Sequence, residues 1–169
     1  MELKKLLKEN REKILKTWFE MIVAFYPEEM VYFISNEKDR FLNPVGSIIS
    51  EGIGVIYDVI AEGKDKGDTA SAIDNIMKIM AIEDIKPSIA TSFGYFLKRI
   101  LMEWCAPYLK ESKLLEELHA LNDRIDEITL MAFDFYMGCR EQINRIRIKE
   151  LMSERARGID NFLNFKVNS

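Results

Sequence analysis

No proline follows Pro107, and between residue 113 and about residue 157 the one glycine is Gly138. Within that stretch Leu114, Leu118, Leu121, Ile125, Ile128, Ala132, Phe135 and Cys139 recur at alternating steps of four and three, the spacing that lines one face of a helix. Unbroken, such a helix runs about 65 Å at ~1.5 Å per residue, longer than a small domain is wide. Its first part is expected to anchor a bundle and its far end to meet a partner, such as a second copy of the chain. Everything upstream must then supply helices to pack around it. Gly158 is the expected stop, which divides the chain into a domain over residues 1–157 and a short tail over residues 158–169.

The upstream residues supply those helices. Residues 3–25 read as one helix with Leu3, Leu7, Ile14, Trp18, Met21, Ile22 and Phe25 on a stripe. Pro27 ends it and opens a short helix, with Glu28 and Glu29 at the positive end. Residues 35–43 are polar and read as a loop. Asn43 before Pro44 is a cap-then-proline start; Val45, Ile48, Ile49, Ile53, Ile56 and Ile60 follow at helical spacing, and Gly63 is a natural stop. Gly52 and Gly54 each lower helix propensity by roughly 1 kcal/mol relative to alanine. They mark close contact with another helix or are tolerated without a packing role. The clearest loop is GKDKGD, residues 63–68, after which Asp68 or Thr69 caps a helix carrying Ile73, Ile76, Met77 and Met80. Pro87 opens a further helix whose broad apolar face runs from Ile89 to Tyr108, as expected of a central element. No segment alternates with period two long enough for a sheet. The pattern predicts an all-α fold of about six helices.

Composition removes several functions. A chain of 169 residues, 48% of them hydrophobic, can bury one core without disulfide or metal staples. Its net charge of −4 does not suit a nucleic-acid binder. The longest apolar run, residues 21–26, is far below the ~18 residues a membrane span needs, so no membrane insertion is expected. Cys105 and Cys139 stand apart in helical sequence, which fits a reducing cytoplasm better than a disulfide framework. His119 is the only histidine. Ligation of haem or a metal would have to run through it, with no second histidine to complete a site. No nucleophile context or phosphate loop is present, so neither an enzyme nor a cofactor is expected.

Two features are less ordinary. Asp134 has Leu130, Met131, Met137 and Gly138 as helical neighbours. It is either exposed on the flank or partly buried and paired with Lys98 or Arg99. Residues 140–157 carry six basic and three acidic side chains, leaving the rest of the chain at about −7. The excess either complements a helix C-terminus or docks an acidic partner.

Two stretches carry a resemblance. Residues 79–101, IMAIEDIKPSIATSFGYFLKRIL, contain Asp84-x-x-Pro87-Ser88 followed by Phe93 and Leu97-Lys98. Residues 124–150, RIDEITLMAFDFYMGCREQINRIRIKE, contain Ala132-Phe133-Asp134, then Tyr136-Met137, then Cys139-Arg140-Glu141. Together, over roughly residues 3–155, the chain resembles the RsbRD N-terminal family, the amino-terminal domains of RsbR-type stressosome co-antagonists. The resemblance implies a dimeric globin fold that has lost its haem, and a sensory or regulatory role in sigma-factor stress control exercised through a regulatory protein partner. Residues 70–84 agree, since they contain no histidine where a haem globin would place its proximal ligand. Full-length members continue through a linker helix into a phosphorylatable STAS domain; whether an output domain follows Ser169 stays open.

Two sites are expected, a dimer interface on the apolar row of the long helix together with the first helix, and a pocket lined by Met and Phe side chains. A homodimer is expected to use Ile125, Ile128, Ala132, Phe135, Ile143 and Ile146 on the long helix, the later turns above all. A small apolar, fatty-acid-like ligand in the vacated haem pocket would meet Met77, Met80, Phe93, Phe96 and Met102. The alternative is an ordinary core filled by those side chains.

Overall fold

The computed structural model describes residues 3–37, 39–63, 67–108 and 112–167, with side chains for all of these except Ser112 and residues 158–167. The expected loop at 63–68 therefore lies partly outside the described residues, as do the connector at 109–111 and the end of the tail. The order is α1 (Leu3–Glu9), α2 (Arg11–Val23), α3 (Glu28–Asn36), α4 (Pro44–Glu62), α5 (Thr69–Ile82), α6 (Pro87–Ala90), α7 (Phe93–Cys105), a 3-10 turn at Ala106–Tyr108, and α8 (Ser112–Val167). The fold is an all-α, globin-like bundle with a long C-terminal helix. No strand occurs among the described residues.

Polar side chains that take backbone carbonyls explain why the helix boundaries differ from the expected six. Asn10 Nδ2 donates to the Leu6 carbonyl at 2.9 Å, and the chain bends there into α1 and α2 instead of running straight from residue 3 to 25. In the Pro87 helix, Thr91 Oγ1 donates to the Pro87 carbonyl at 2.9 Å and Ser92 Oγ to the Ile89 carbonyl at 2.7 Å. Such local bonds compete with the helix ladder and separate α6 from α7. Gly158 does not stop α8, which continues through it to Val167. A single glycine lowers helix propensity by about 1 kcal/mol, whereas no proline follows to block the ladder.

The core forms where α5 packs on both α4 and α8, and α7 on α2 and α8. Trp18, Ile53, Tyr57, Met77, Leu97 and Tyr136 are fully buried. Their polar atoms are matched as burial demands: Trp18 Nε1 donates to the Phe93 carbonyl at 2.8 Å, and Tyr57 Oη to the Leu7 carbonyl at 2.9 Å. Burial raises the Tyr57 phenol well above its ordinary range. Arg11 grips Asp58 with two bonds of 2.8 and 3.0 Å, joining α2 to α4. Asn43 caps α4 as expected, its side chain accepting from Gly46 N at 2.9 Å. Gly63 ends α4 at φ 72°. By length and composition alone α4 is apolar enough to cross a bilayer, which run length did not reveal; its Ile49, Ile53, Ile56 and Ile60 are buried in the bundle.

Two of the glycines of α4, Gly52 and Gly54, differ in what surrounds them. A methyl at Gly52 would stand 2.6 Å from Ile76 Cδ1 of α5, while one at Gly54 would meet nothing nearer than Arg11 Nη2 at 3.7 Å. Gly52 thus permits close contact and Gly54 does not need to be glycine. Gly52→Ala is expected to lower unfolding stability by about 1–3 kcal/mol through overpacking. Gly54→Ala should leave it unchanged or raise it by about 0.5–1 kcal/mol; urea denaturation of both variants checks the pair.

The side chains expected around a vacated pocket are distributed differently. Met77, Met80 and Phe93 are core residues, Phe96 is half-buried, and Met102 is 42% exposed. Phe96 stacks on Phe25 with ring centroids 5.7 Å apart. None of the five lines the main clefts formed by the described residues. Met77→Ala should therefore cost about 2–5 kcal/mol as a cavity in a filled core. Met102→Ala should stay within about 0.5 kcal/mol by the same measurement.

Candidate functional site

Helix α8 carries two apolar faces. On the inner one, Leu114, Leu118, Leu121, Ile125, Ile128 and Ala132 are buried, as their spacing predicts. The row then changes register. Tyr136 is buried, whereas Phe135, Cys139 and Ile143 are only half-covered. A straight helix drifts by ~20° per seven residues against a strict four-three row. Over the three heptads from Leu114 to Phe135 that amounts to about 60°, more than half of one residue's ~100° step. The next residue, Tyr136, then points more directly inward.

The outer face was not anticipated. Leu130, Phe133, Met137, Ile148 and Leu151 fall together on the side of α8 about 140° from the inner row at ~100° per residue. All are exposed, Leu130 at 68% and Leu151 at 65%. Glu141 and Asn144 interrupt this stripe. Exposed apolar residues scattered singly need no explanation, but a row on one helix face does. The signal was present as a second set of three- and four-residue steps, masked by the more regular inner row.

Beyond Ile143 no side chain of α8 is buried among the described ones, residues 144–157, and the helix continues to Val167 as an arm of about 36 Å at ~1.5 Å per residue. This arm changes the meaning of the basic segment. The helix dipole acts on charges only within the last turn, and residues 140–157 end ten residues before Val167. The helix C-terminus therefore does not account for them. Arg140 is paired with Asp84 and Arg145 with Glu141. Arg147, Lys149 and Arg155 have no ion-pair partner among the described residues.

The two stretches carrying the resemblance meet at the end of α5. Ile85 N donates to the Met80 carbonyl at 3.0 Å and Asp84 N to the Ala81 carbonyl at 3.3 Å, the paired bonds of a Schellman cap. Asp84 occupies its left-handed position at φ 57°, where glycine is usual. The Asp84 carboxylate accepts from Arg140, and Tyr136 Oη donates to the Ile85 carbonyl. Arg140 Nη1 also donates to the Ala81 carbonyl at 3.3 Å. Asp84 is largely exposed, so its ion pair contributes about 0–1 kcal/mol. The bonds to backbone carbonyls add about 0.5–1.5 kcal/mol each.

The remaining family-pattern residues are dispersed. Pro87 opens α6, Ser88 is exposed beside it, and Leu97 is buried in α7. Lys98 pairs with Asp126 at 2.6 Å and Glu141 with Arg145. Asp134 is exposed, so the buried alternative with Lys98 or Arg99 is not realised; Arg99 instead pairs weakly with Glu103 of its own helix. Of the expected interface residues, Ile125, Ile128 and Ala132 are consumed in the chain's own core, Phe135 and Ile143 are half-buried, and Ile146 is 50% exposed. His119 is exposed on α8. Among the described residues no three His, Cys, Asp or Glu side chains gather as metal ligands. A shallow apolar cleft between α5 and α8, about 540 Å³, is lined by Lys78, Met131, Phe135, Gly138 and Cys139. Burial raises the Cys139 thiol above its usual range, which disfavours the reactive thiolate.

The comparisons with known proteins agree with the resemblance that the two stretches carry. An uncharacterized protein of Archaeoglobus fulgidus is 29% identical over 141 residues, covering 83% of this chain and 84% of that protein. No solved structure gives a significant match. The family model described as the RsbT co-antagonist protein rsbRD N-terminal domain matches residues 12–151. The chain therefore belongs to the rsbRD N-terminal domain family of RsbT co-antagonist proteins.

Proposed function

We infer that the chain is a cytoplasmic regulatory module of the stressosome type, without enzymatic activity, which forms a homodimer and acts through protein contacts. The observation that carries this reading is the outer apolar stripe of α8, which continues from the bundle onto an arm whose described side chains have no other covering. An isolated helix gains little stability in water without a packed face, so Ile148, Leu151 and Met152 call for a partner. Family membership supplies the regulatory context. The dimer seam is then Leu130, Phe133, Met137, Ile148 and Leu151, in place of the buried Ile125, Ile128 and Ala132. Asn144 within the stripe serves as a polar register mark, as single buried Asn residues do in paired helices. The unpaired Arg147, Lys149 and Arg155 select an acidic surface on the regulatory partner.

Light scattering at micromolar concentration should give the mass of two chains. Replacing Ile148 and Leu151 together with Asp should return it to one chain, because losing a central apolar anchor weakens association by about 2 kcal/mol or more, roughly thirtyfold in the dissociation constant. The melting temperature of the bundle should stay close to that of the wild type when both are measured as monomers. A wild-type mass of one chain overturns the dimer.

A further inference from the structure

The Schellman cap of α5 sits where α8 leaves the bundle, and both sides of it are unusual. On one side, Tyr136 and Arg140, one turn apart on α8, hold Ile85, Ala81 and Asp84. The next half-covered residue of α8 is Ile143, and beyond it the arm stands free. On the other side lies Tyr26, 5% exposed, whose hydroxyl has no hydrogen-bond partner among the described residues. Burial, with the nearby Glu83 carboxylate, raises its phenol to about 12. An aspartate in a left-handed position and an orphaned buried hydroxyl are both unfavourable, and here they flank the same short segment.

The choice of residue at position 84 is informative. Glycine would close the same cap without backbone cost. Aspartate closes it less well and gains only a half-exposed ion pair to α8. A sequence serving stability alone would use glycine; one that ties the cap to α8 needs the carboxylate.

We propose that residues 83–85 and the Tyr136–Arg140 turn of α8 form a latch that couples packing of the bundle to the arm, with Asp84, Tyr136 and Arg140 as its positioning residues. When the latch is closed, α8 leaves the bundle in one fixed orientation. When the cap shifts, the Tyr136 and Arg140 bonds break and the base of the arm loosens. Signals reaching α5 or α6 are thereby read out in the arm, and by linkage a partner on the arm tightens the cap. The latch does not depend on what the arm binds.

The test is hydrogen–deuterium exchange on the full chain, followed over residues 83–90 and over residues 144–151, which do not touch the cap. Asp84→Gly removes the ion pair and the backbone cost together. Its unfolding temperature should equal or exceed that of the wild type, while exchange in residues 144–151 rises by roughly fivefold to tenfold. Tyr136→Phe, which keeps the ring, should produce the same local rise. Lys98→Met breaks the ion pair to Asp126 elsewhere on α8 and should leave the arm unchanged. Unaltered arm exchange in Asp84→Gly overturns the latch, as does an equal response in Lys98→Met. A uniform rise across α4, α7 and α8 in the Tyr136→Phe protein also overturns it, because that pattern reports general loss of stability.

Discussion

The inner apolar row of α8 is written at 3.5 residues per step and folded on a helix of 3.6, and that small mismatch decides which side chain is buried at the last full contact with the bundle. While the drift is small, Leu114 through Ala132 fill the groove between α5 and α7. Once it exceeds half a residue's rotation, the buried position passes from Phe135 to Tyr136; Cys139 and Ile143 return to the inner direction and are half-covered where the bundle ends. A supercoil could have kept the row in register, but the bundle offers no second long helix to wind around. The arm is thus a geometric consequence of a row that outlasts its groove.

What holds the departing turn is polar. Tyr136 brings a hydroxyl to a buried position and spends it on the Ile85 carbonyl, while Arg140 reaches Ala81 and Asp84. Within the bundle the helices meet mainly through apolar surface and close backbone approach, as where Thr129 lies within 2.0 Å of the place a Gly94 methyl would occupy, with polar links such as Arg11 to Asp58 added at the rim. The apolar contacts are stiff because cores are close-packed. At the α5 cap, polar bonds from Tyr136 and Arg140 are added to the α5–α8 packing at its last point before the arm.

Much of the architecture was legible from spacing. The α4 start at Asn43 and Pro44, its stop at Gly63, the α5 register through Met77 and Met80, and the first half of α8 all follow from periodicity and capping. The breaks at Asn10 and at Thr91 and Ser92 were not, because they depend on side chains choosing backbone carbonyls over solvent. The site was less legible. Asp84, Tyr136 and Arg140 carried the family resemblance, yet nothing in their spacing says that residues 56 apart form an ion pair. The outer stripe of α8 was hidden because a regular inner row draws attention from a less regular one. The basic segment was read against a helix end at Gly158, and its meaning changed once the helix ran on to Val167.

On the proposed reading, α8 is one helix with two tenants: the bundle on its inner face and a second molecule on its outer face and arm. Amide exchange of residues 144–155, measured in the full wild-type chain at low and at high micromolar concentration, tests this most directly. Two tenants require protection of the arm to grow with concentration while that of α4 and α7 stays constant. Arm exchange that is fast and independent of concentration would contradict the account.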